Sequence, residues 1–304
     1  MNAKILANKL NTYERLMRLD KPIGILLLLW PTLWALWIAS NGKPDWIMLM
    51  IFITGTVLMR SSGCVMNDIA DRKYDGQVER TKNRPLAISD LTISEKSEKS
   101  EKSEVSVKEA YLLAIGLALL AFCLVLQLNQ KTIFLSFAAL FLAFTYPFTK
   151  RFLAIPQAYL GIAFGFGIPM AFAAVTNHVP AIAWVLFAAN LFWTIAYDTE
   201  YAMVDREDDL KIGIQSSAIF FGRADVMAVM ICYGLLLILM LGIGRFLVFG
   251  LYFYIGLTVA FILVYQQYTF IKLRNKANCF KAFLHNNWIG LAIFIGLASD
   301  YFFK

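Results

Sequence analysis

The sequence predicts an all-α membrane protein with about nine transmembrane helices. Hydrophobic residues make up 59% of the 304 residues and charged residues only 16%. Apolar segments long enough to cross a bilayer as helices recur along the whole chain. Helices suit this environment because they satisfy their own backbone hydrogen bonds. We therefore expect residues 1–304 to form a single integral membrane domain.

Nine apolar segments are predicted to span the membrane. They are residues 23–40, 46–66, 110–127, 133–148, 155–175, 181–197, 224–242, 246–265 and 283–301. Residues 3–19 precede them and place apolar side chains near one face, with most Lys and Arg side chains elsewhere. This pattern is typical of a helix that lies at the membrane surface.

The distribution of positive charge predicts the orientation. If the N-terminus lies in the cytosol, most of the 28 Lys and Arg residues fall in loops on the cytosolic side. Such an asymmetry sets the orientation of membrane proteins. We therefore expect a cytosolic N-terminus and a C-terminus on the opposite side.

Residues 94–104 form a low-complexity insertion in a predicted cytosolic loop. They repeat Ser-Glu-Lys and contain no apolar side chain. A segment with nothing to bury is expected to be solvated or disordered. We assign it no function.

A first acidic segment follows the second span. Its oxygen-bearing side chains are Asn67, Asp68, Asp71 and Asp75. If the helix continues through them, all four fall within an arc of roughly 100°. Carboxylates stacked one turn apart repel each other, so this face is expected to need a cation.

A second acidic segment, residues 198–209, follows the sixth span and repeats the Asp-Arg-x-x-Asp pattern of the first. On a helix, Asp198, Asp205 and Asp209 lie within about 40° of each other. Both segments are predicted on the cytosolic side, so their acidic faces are expected to close on a metal. Carboxylate and amide oxygens suit Mg²⁺, which commonly shares its coordination with substrate phosphates.

Cations accompany both acidic segments. They are Arg80, Lys82, Arg84, Lys150, Arg151 and Arg206. Such side chains bind diphosphate oxygens, although cytosolic loops are rich in Lys and Arg for reasons of topology alone. We expect about half of them to belong to the site. The ring of Tyr146, or of Tyr197 or Tyr201, could stabilise a carbocation through its π face.

Arg60 lies inside the second predicted span, seven residues before Asn67. It is therefore on nearly the same helix face and roughly 10 Å deeper. A guanidinium in an apolar span is costly and is expected to face a cavity with an anionic partner. That partner is either a carboxylate of the protein or an anionic substrate, and we favour the substrate.

An apolar cavity beneath a magnesium–diphosphate site fits a substrate with an isoprenoid tail and a diphosphate head. Loss of the diphosphate would leave an allylic cation that alkylates an acceptor. A remote alternative is an ion-coupled transporter. Transporters place their ionisable groups near the midplane at broken helices, whereas these acidic segments lie at the predicted cytosolic edge.

The residues resemble the UbiA superfamily of intramembrane prenyltransferases. The superfamily motif NDxxDxxxD matches residues 67–75, and a second Asp-rich motif matches residues 198–209. Further matches are RLDKPIG at 18–24, RTKNRPLA at 80–87, YPFTKR at 146–151 and YDTEYAMVDREDDLKIGIQSSAIFFG at 197–222. The resemblance extends over nearly the whole chain and is strongest to the members that prenylate 4-hydroxybenzoate in ubiquinone biosynthesis.

The resemblance implies a UbiA-type bundle that uses Mg²⁺ and opens to the cytosol and laterally to membrane lipid. The reaction implied is transfer of a polyprenyl chain from polyprenyl diphosphate to the carbon ortho to the hydroxyl of 4-hydroxybenzoate. Another aromatic acceptor, such as dihydroxynaphthoate, stays open as an alternative. The implied location is the bacterial inner membrane, and we expect no nucleic-acid partner.

The resemblance also implies roles for individual residues. Arg60 would hold the benzoate carboxylate. The metal and diphosphate residues carried over are Asn67, Asp71, Asp75, Asp198 and Asp205, and their neighbours carried over are Tyr146, Lys150 and Arg151. The residue pattern adds Asp68 and Asp209 as metal candidates and Lys82 and Arg84 as substrate-binding candidates. Asp71, Asp75, Asp198 and Asp205 are the catalytic candidates, whereas the sequence leaves the tail length and oligomeric state undetermined.

Overall fold

The computed structural model describes residues 3–87 and 105–304, which form α-helices and short 3₁₀ turns. The predicted insertion at 94–104 lies outside the described residues. The helices are α1 (Ala3–Met17), α2 (Ile23–Ala39), α3 (Trp46–Ala70), α4 (Val107–Val125), α5 (Gln130–Thr149), α6 (Pro156–Gly165), α7 (Gly167–Thr176), α8 (Ala181–Ile212), α9 (Ser217–Phe221), α10 (Asp225–Phe246), α11 (Leu251–Ile271) and α12 (Lys276–Phe302).

The described residues contain eight helical segments long and apolar enough to cross a membrane. They are α3, α4, α5, α6 with α7, α8, α9 with α10, α11 and α12. The apolar helix α2, with 17 residues, makes a ninth segment. The predicted all-α membrane fold of about nine helices is therefore confirmed, while the side on which each terminus lies stays a prediction.

Polar side chains determine where several membrane helices begin. Asp45 accepts a hydrogen bond from the backbone N–H of Met48 at the start of α3. Ser106 and Glu109 form a capping box at the start of α4. These contacts satisfy N–H groups that have no partner inside the helix. These caps thus define the residues at which the apolar segments begin as helices.

The main core lies where α8 packs against α10 and α12. Trp34, Trp193 and Tyr233 are fully buried there. Helices α11 and α12 approach closely because Gly256 faces Gly296, where an added Cβ would lie 2.7 Å from the Cα of Gly296. A smaller cluster joins α1, α3 and α4. The ends of α3, α5 and α8 enclose a cavity between these two regions.

Helix α3 ends at Ala70, so the prediction of one helical face from Asn67 to Asp75 is wrong in its last part. Asp71 is the C-terminal cap of α3, and Asp75 begins a 3₁₀ turn that extends to Gln77. Residues 71–75 offer almost nothing apolar to pack, which removes the main support for a longer helix. By contrast, α8 continues as one helix through the whole second acidic segment.

Candidate active site

Both acidic segments line one cavity of about 1090 Å³. Its oxygen-bearing lining includes every metal candidate of the sequence, namely Asn67, Asp68, Asp71, Asp75, Asp198, Asp205 and Asp209. The first segment contributes from the end of α3 and the following turns. The second contributes from one face of α8. Residues more than 120 positions apart in the sequence therefore share one space.

Lys150 joins the end of α5 to the first acidic segment. Its Nζ donates to Asp71 Oδ2 at 2.8 Å and lies 3.4 Å from Asn67 Oδ1. Burial lowers the pKa of Lys150, but the Asp71 carboxylate outweighs this effect and raises it. Lys150 is therefore a firmly charged ammonium in the cavity wall, 5.7 Å from the centre of the Tyr146 ring.

Asp68 is held by two arginines of the protein. Arg18 Nη2 donates to both carboxylate oxygens at 2.9 and 3.1 Å, and Arg84 Nη1 lies 3.2 Å from Oδ1. Arg18 follows α1 with a left-handed backbone (φ 58°), which orients its side chain toward α3. Asp68 is only 1% exposed. These contacts set Asp68 apart from the other metal candidates, because its oxygens already have partners.

Arg84 also binds Asp75, with Nη1 2.9 Å from Oδ1. Burial raises the pKa of Asp75 to about 6, and the Arg84 guanidinium limits the rise. Burial acts to lower the pKa of Arg84, but the Asp68 and Asp75 carboxylates raise it overall. Arg84 therefore ties the end of α3 to the 3₁₀ turn while lining the cavity.

The loop after the first segment contacts the second segment. Arg80 Nε donates to Asp205 Oδ1 at 3.0 Å, and the guanidinium lies 4.2 Å from the centre of the Tyr201 ring. The backbone N–H of Glu79 lies 3.4 Å from Asp208 Oδ2. The loop is thereby fixed against α8.

Asp198 and Asp209 differ from the other carboxylates. Within the part of the chain that the structure describes, neither forms a hydrogen bond or an ion pair. Both are half-buried and line the cavity. Lys150, Arg60 and Arg80 act electrostatically on Asp198. Among the predicted metal candidates, these two carboxylates are the most available to a bound ligand.

Arg60 extends from α3 into the cavity wall. Its Nε is buried without a hydrogen-bond partner, and its guanidinium lies 5.5 Å from the centre of the Phe164 ring. An added Cβ at Gly24 would lie 2.6 Å from Nε, so the glycine leaves room for this side chain. Among the described residues no carboxylate pairs with Arg60. Asp198 acts electrostatically on Arg60 without forming an ion pair with it, and an anionic substrate as the partner of Arg60 stays a prediction.

Two predicted substrate-binding residues do not line the cavity. Arg151 donates to the carbonyl of Ala70 at 3.0 Å, and Lys82 pairs with Glu79 at 2.8 Å. Both are exposed. Arg151 therefore contacts the end of α3 from outside.

The donor set suits Mg²⁺ because it consists of carboxylate and amide oxygens. Within residues 3–87 and 105–304, however, no three acidic side chains are gathered as a ready-made metal cluster. Lys150, Arg80 and Arg84 lie among the carboxylates and neutralise them. The residues thus fit the metal chemically, and binding would require some of these ion pairs to open.

Comparison with known proteins gives the family. Residues 28–289 match the model of the UbiA prenyltransferase family. The chain belongs to this family. It is 63% identical to a protein of Methylobacillus flagellatus named 4-hydroxybenzoate octaprenyltransferase, over 98% of this chain and 96% of the relative. A protein of Dechloromonas aromatica with the same name is 60% identical, over 99% and 97%. The resemblance seen in the motifs is therefore confirmed.

Solved structures show the same fold. A UbiA homologue from Aeropyrum pernix, in its apo form, has a TM-score of 0.75 with 22% identity, over 90% of this chain and 97% of that one. A UbiA homologue from Archaeoglobus fulgidus, bound to GPP and Mg²⁺, has a TM-score of 0.63 with 18% identity, over 93% and 99%. The described helices thus form a UbiA-type bundle in an integral membrane protein.

The cavity of this UbiA family member has an apolar part as well. It is lined by Leu27, Phe52, Val125, Leu128, Phe164 and Met170. These side chains come from helices α2, α3, α4, α6 and α7 and from the loop between α4 and α5. A cavity with charged groups in one part and apolar groups in another suits an amphipathic ligand.

Some polar residues of the cavity are not among the residues predicted from the sequence. Arg18, the first residue of the RLDKPIG match, binds Asp68 and lines the cavity. Asn287 on α12 also lines it and accepts a hydrogen bond of 2.8 Å from Trp30 Nε1. The signal for Asn287 was a pair of asparagines within an apolar helix, where polar groups seldom lack a partner.

Proposed function

We propose that this UbiA family enzyme transfers a polyprenyl chain from polyprenyl diphosphate to 4-hydroxybenzoate. The bond between the first prenyl carbon and the diphosphate oxygen breaks, and the diphosphate leaves with the electron pair. A carbon–carbon bond then forms at the ring position ortho to the hydroxyl. The ring carbon finally loses its proton, which restores aromaticity.

One observation carries the proposal. The acidic segments line the same cavity as Arg60, whose Nε has no hydrogen-bond partner among the described residues, and the cavity also has an apolar part. This arrangement offers separate places for a diphosphate, a carboxylate and an isoprenoid tail. The relatives named 4-hydroxybenzoate octaprenyltransferase, at 60 and 63% identity over nearly the whole chain, support this choice of reaction.

The diphosphate would lie between the acidic segments. Lys150 and Arg84 would donate charge-assisted hydrogen bonds to its oxygens and stabilise the developing negative charge. When bound, Mg²⁺ supplies further positive charge to the leaving diphosphate. The residues that would hold it are Asn67, Asp71, Asp75, Asp198, Asp205 and Asp209. Asp68 would act through Arg18 and Arg84, which occupy its oxygens.

The acceptor would lie on the Arg60 side of the cavity. The Arg60 guanidinium would bind the benzoate carboxylate, because its buried Nε is an unused donor and favours an anion. Tyr146, whose ring lines the cavity, would face the allylic cation. Asp198, which has no hydrogen bond or ion pair among the described residues, would accept the proton released by the acceptor.

The remaining parts of the proposal are the location of the prenyl tail and the side of the membrane that the active site faces. The apolar lining would hold the first isoprene units, and the rest of the chain would extend into lipid. The concentration of Lys and Arg in the loops predicted on one side supports an active site that faces the cytosol of a bacterial inner membrane.

The test is an assay of the purified protein with 4-hydroxybenzoate and polyprenyl diphosphates of several lengths. We expect the prenylated acid with Mg²⁺ and none with a chelator. Dihydroxynaphthoate in place of 4-hydroxybenzoate is the matched control for acceptor choice. Faster turnover of dihydroxynaphthoate would show that it, and not 4-hydroxybenzoate, is the preferred acceptor. Turnover in the presence of chelator would contradict the requirement for Mg²⁺.

A further inference from the structure

A polar network lies in the core of the helix bundle, outside the cavity. Glu200 is 0% exposed and accepts a 2.8 Å hydrogen bond at Oε2 from Asn286 Nδ2. Its Oε1 lies 2.9 Å from the hydroxyl oxygen of Tyr233, and that hydroxyl lies 2.8 Å from Asn286 Oδ1. Trp193 Nε1 donates to the same Asn286 Oδ1 at 2.9 Å. The network connects α8, α10 and α12.

The orientation of the Asn286 amide is fixed by two neighbours. Trp193 Nε1 is a donor only, so the amide atom it contacts must be the oxygen. The other amide atom, Nδ2, lies 3.1 Å from the carbonyl of Ala282, which is an acceptor only. Rotating the amide by 180° would place two donors together and two acceptors together. The assignment is therefore determined by the surroundings.

With the amide fixed, the network lacks one proton if Glu200 is ionised. The Tyr233 hydroxyl has one hydrogen but contacts two oxygens, Glu200 Oε1 and Asn286 Oδ1. An ionised Glu200 would leave one of these short oxygen–oxygen contacts without a hydrogen between them. A protonated Glu200 completes the set, because it donates to Tyr233 and Tyr233 then donates to Asn286.

Glu200 lies on the side of α8 opposite to the side that lines the cavity. At 100° per residue it is about 160° from Asp198, whereas Asp205 is only about 20° from Asp198. Asn286 is followed directly by Asn287, which lines the cavity. The rotation of α8 against α10 and α12 thus decides where the second acidic segment faces. We infer that Glu200 is a positioning residue, held as a neutral carboxylic acid, that fixes this rotation.

The protonation state is tested by infrared difference spectroscopy of the full chain in lipid, without substrates. We expect a carboxylic-acid carbonyl band at neutral pH in the wild type that is absent in Glu200→Gln. Tyr233→Phe removes the acceptor of the Glu200 proton and should shift the band, while Tyr265→Phe, an exposed tyrosine of α11, should leave it unchanged. A wild-type spectrum without a Glu200-dependent acid band would overturn the inference.

The positioning role is tested by activity and rests on the proposed function. Glutamine is neutral and keeps every hydrogen bond, since its amide can donate to Tyr233 and accept from Asn286. We therefore expect Glu200→Gln to retain the wild-type rate within about twofold. Glu200→Ala should lose at least about tenfold and need more Mg²⁺ for half-maximal rate, because α8 carries three of the metal candidates. Equal rates for the two variants would overturn the positioning role. A wild-type protein without prenyl transfer would count against the proposed function alone.

Discussion

Arg80 and Asp205 connect the two acidic segments directly, with Arg80 Nε 3.0 Å from Asp205 Oδ1. Arg80 lies in the loop after the first segment, and Asp205 lies in the middle of the second. The same guanidinium stacks on Tyr201. A cation of the loop after the first segment thus occupies a carboxylate of the second segment, at the place where the diphosphate is proposed to bind.

Replacing Arg80 should therefore affect the donor more than the acceptor. We expect Arg80→Ala to raise the KM for polyprenyl diphosphate by roughly tenfold, because Arg80 would add one charge-assisted hydrogen bond to the diphosphate beside those from Lys150 and Arg84. The KM for 4-hydroxybenzoate should change little. Lys73→Ala, which removes an exposed cation, is the control. Equal changes in both KM values would argue that Arg80 merely supports the fold.

The carboxylates proposed to hold the metal should be essential. Asp71→Asn or Asp198→Asn is expected to lower kcat by at least about 100-fold, because each change removes negative charge from the proposed metal site. The protein should still insert in the membrane. Asp208→Asn is the matched control, since Asp208 is on the same helix as Asp198 but does not line the cavity. Near-normal turnover by Asp71→Asn or Asp198→Asn would refute that residue's role.

Arg60 should determine recognition of the acceptor. Arg60→Ala is expected to raise the KM for 4-hydroxybenzoate by about 10- to 100-fold, because it removes a buried charge-assisted bond. Binding of polyprenyl diphosphate should be nearly unchanged. Equal losses for donor and acceptor would contradict carboxylate recognition.

Gly24 offers a milder test of the same contact. An added Cβ would displace the end of the flexible Arg60 side chain, whose Nε would lie 2.6 Å away. We expect Gly24→Ala to raise the KM for 4-hydroxybenzoate without unfolding the protein. Gly116→Ala is the control, because nothing lies within 4 Å of its added Cβ. An unchanged KM in Gly24→Ala would mean that the Arg60 position is not critical.

The pH dependence should reflect Asp75. Burial raises its pKa to about 6, so Asp75 takes up a proton as the pH falls through that value. The proton competes with Mg²⁺, and the Mg²⁺ concentration for half-maximal rate should therefore rise. Because the folded protein binds this proton more tightly than the unfolded chain, the contribution of Asp75 to stability decreases as the pH rises through about 4 to 6. The measurement is the Mg²⁺ concentration for half-maximal rate at several pH values around 6. A concentration that does not change with pH would contradict the expectation.

Deleting residues 95–102 should leave activity largely intact. This segment has no apolar side chain to contribute to a core. We expect the prenylation rate of the deletion variant to stay within about twofold of the wild type. A variant that inserts in the membrane but has no activity would mean that the insertion shapes the site.

The sequence by itself determined the class of fold and predicted many of the charged residues that line the cavity. The length of an apolar segment predicts a membrane helix, because backbone groups inside the bilayer must form their hydrogen bonds within the protein. Periodicity placed Asp198, Asp205 and Asp209 on one face, and this holds because α8 is a continuous helix over the whole segment. The motif resemblance then predicted the family and the reaction.

Only the tertiary structure decided which side chains are partners. It ended α3 at Ala70, paired Asp68 with Arg18, and placed Arg60 beside Gly24 with no ion pair to a described carboxylate. It also brought Glu200 to Asn286, 86 residues further along the chain. Helical periodicity relates residues within one helix, whereas these contacts depend on how separate helices pack. Packing decides which carboxylates are neutralised by the protein and which remain available to a ligand.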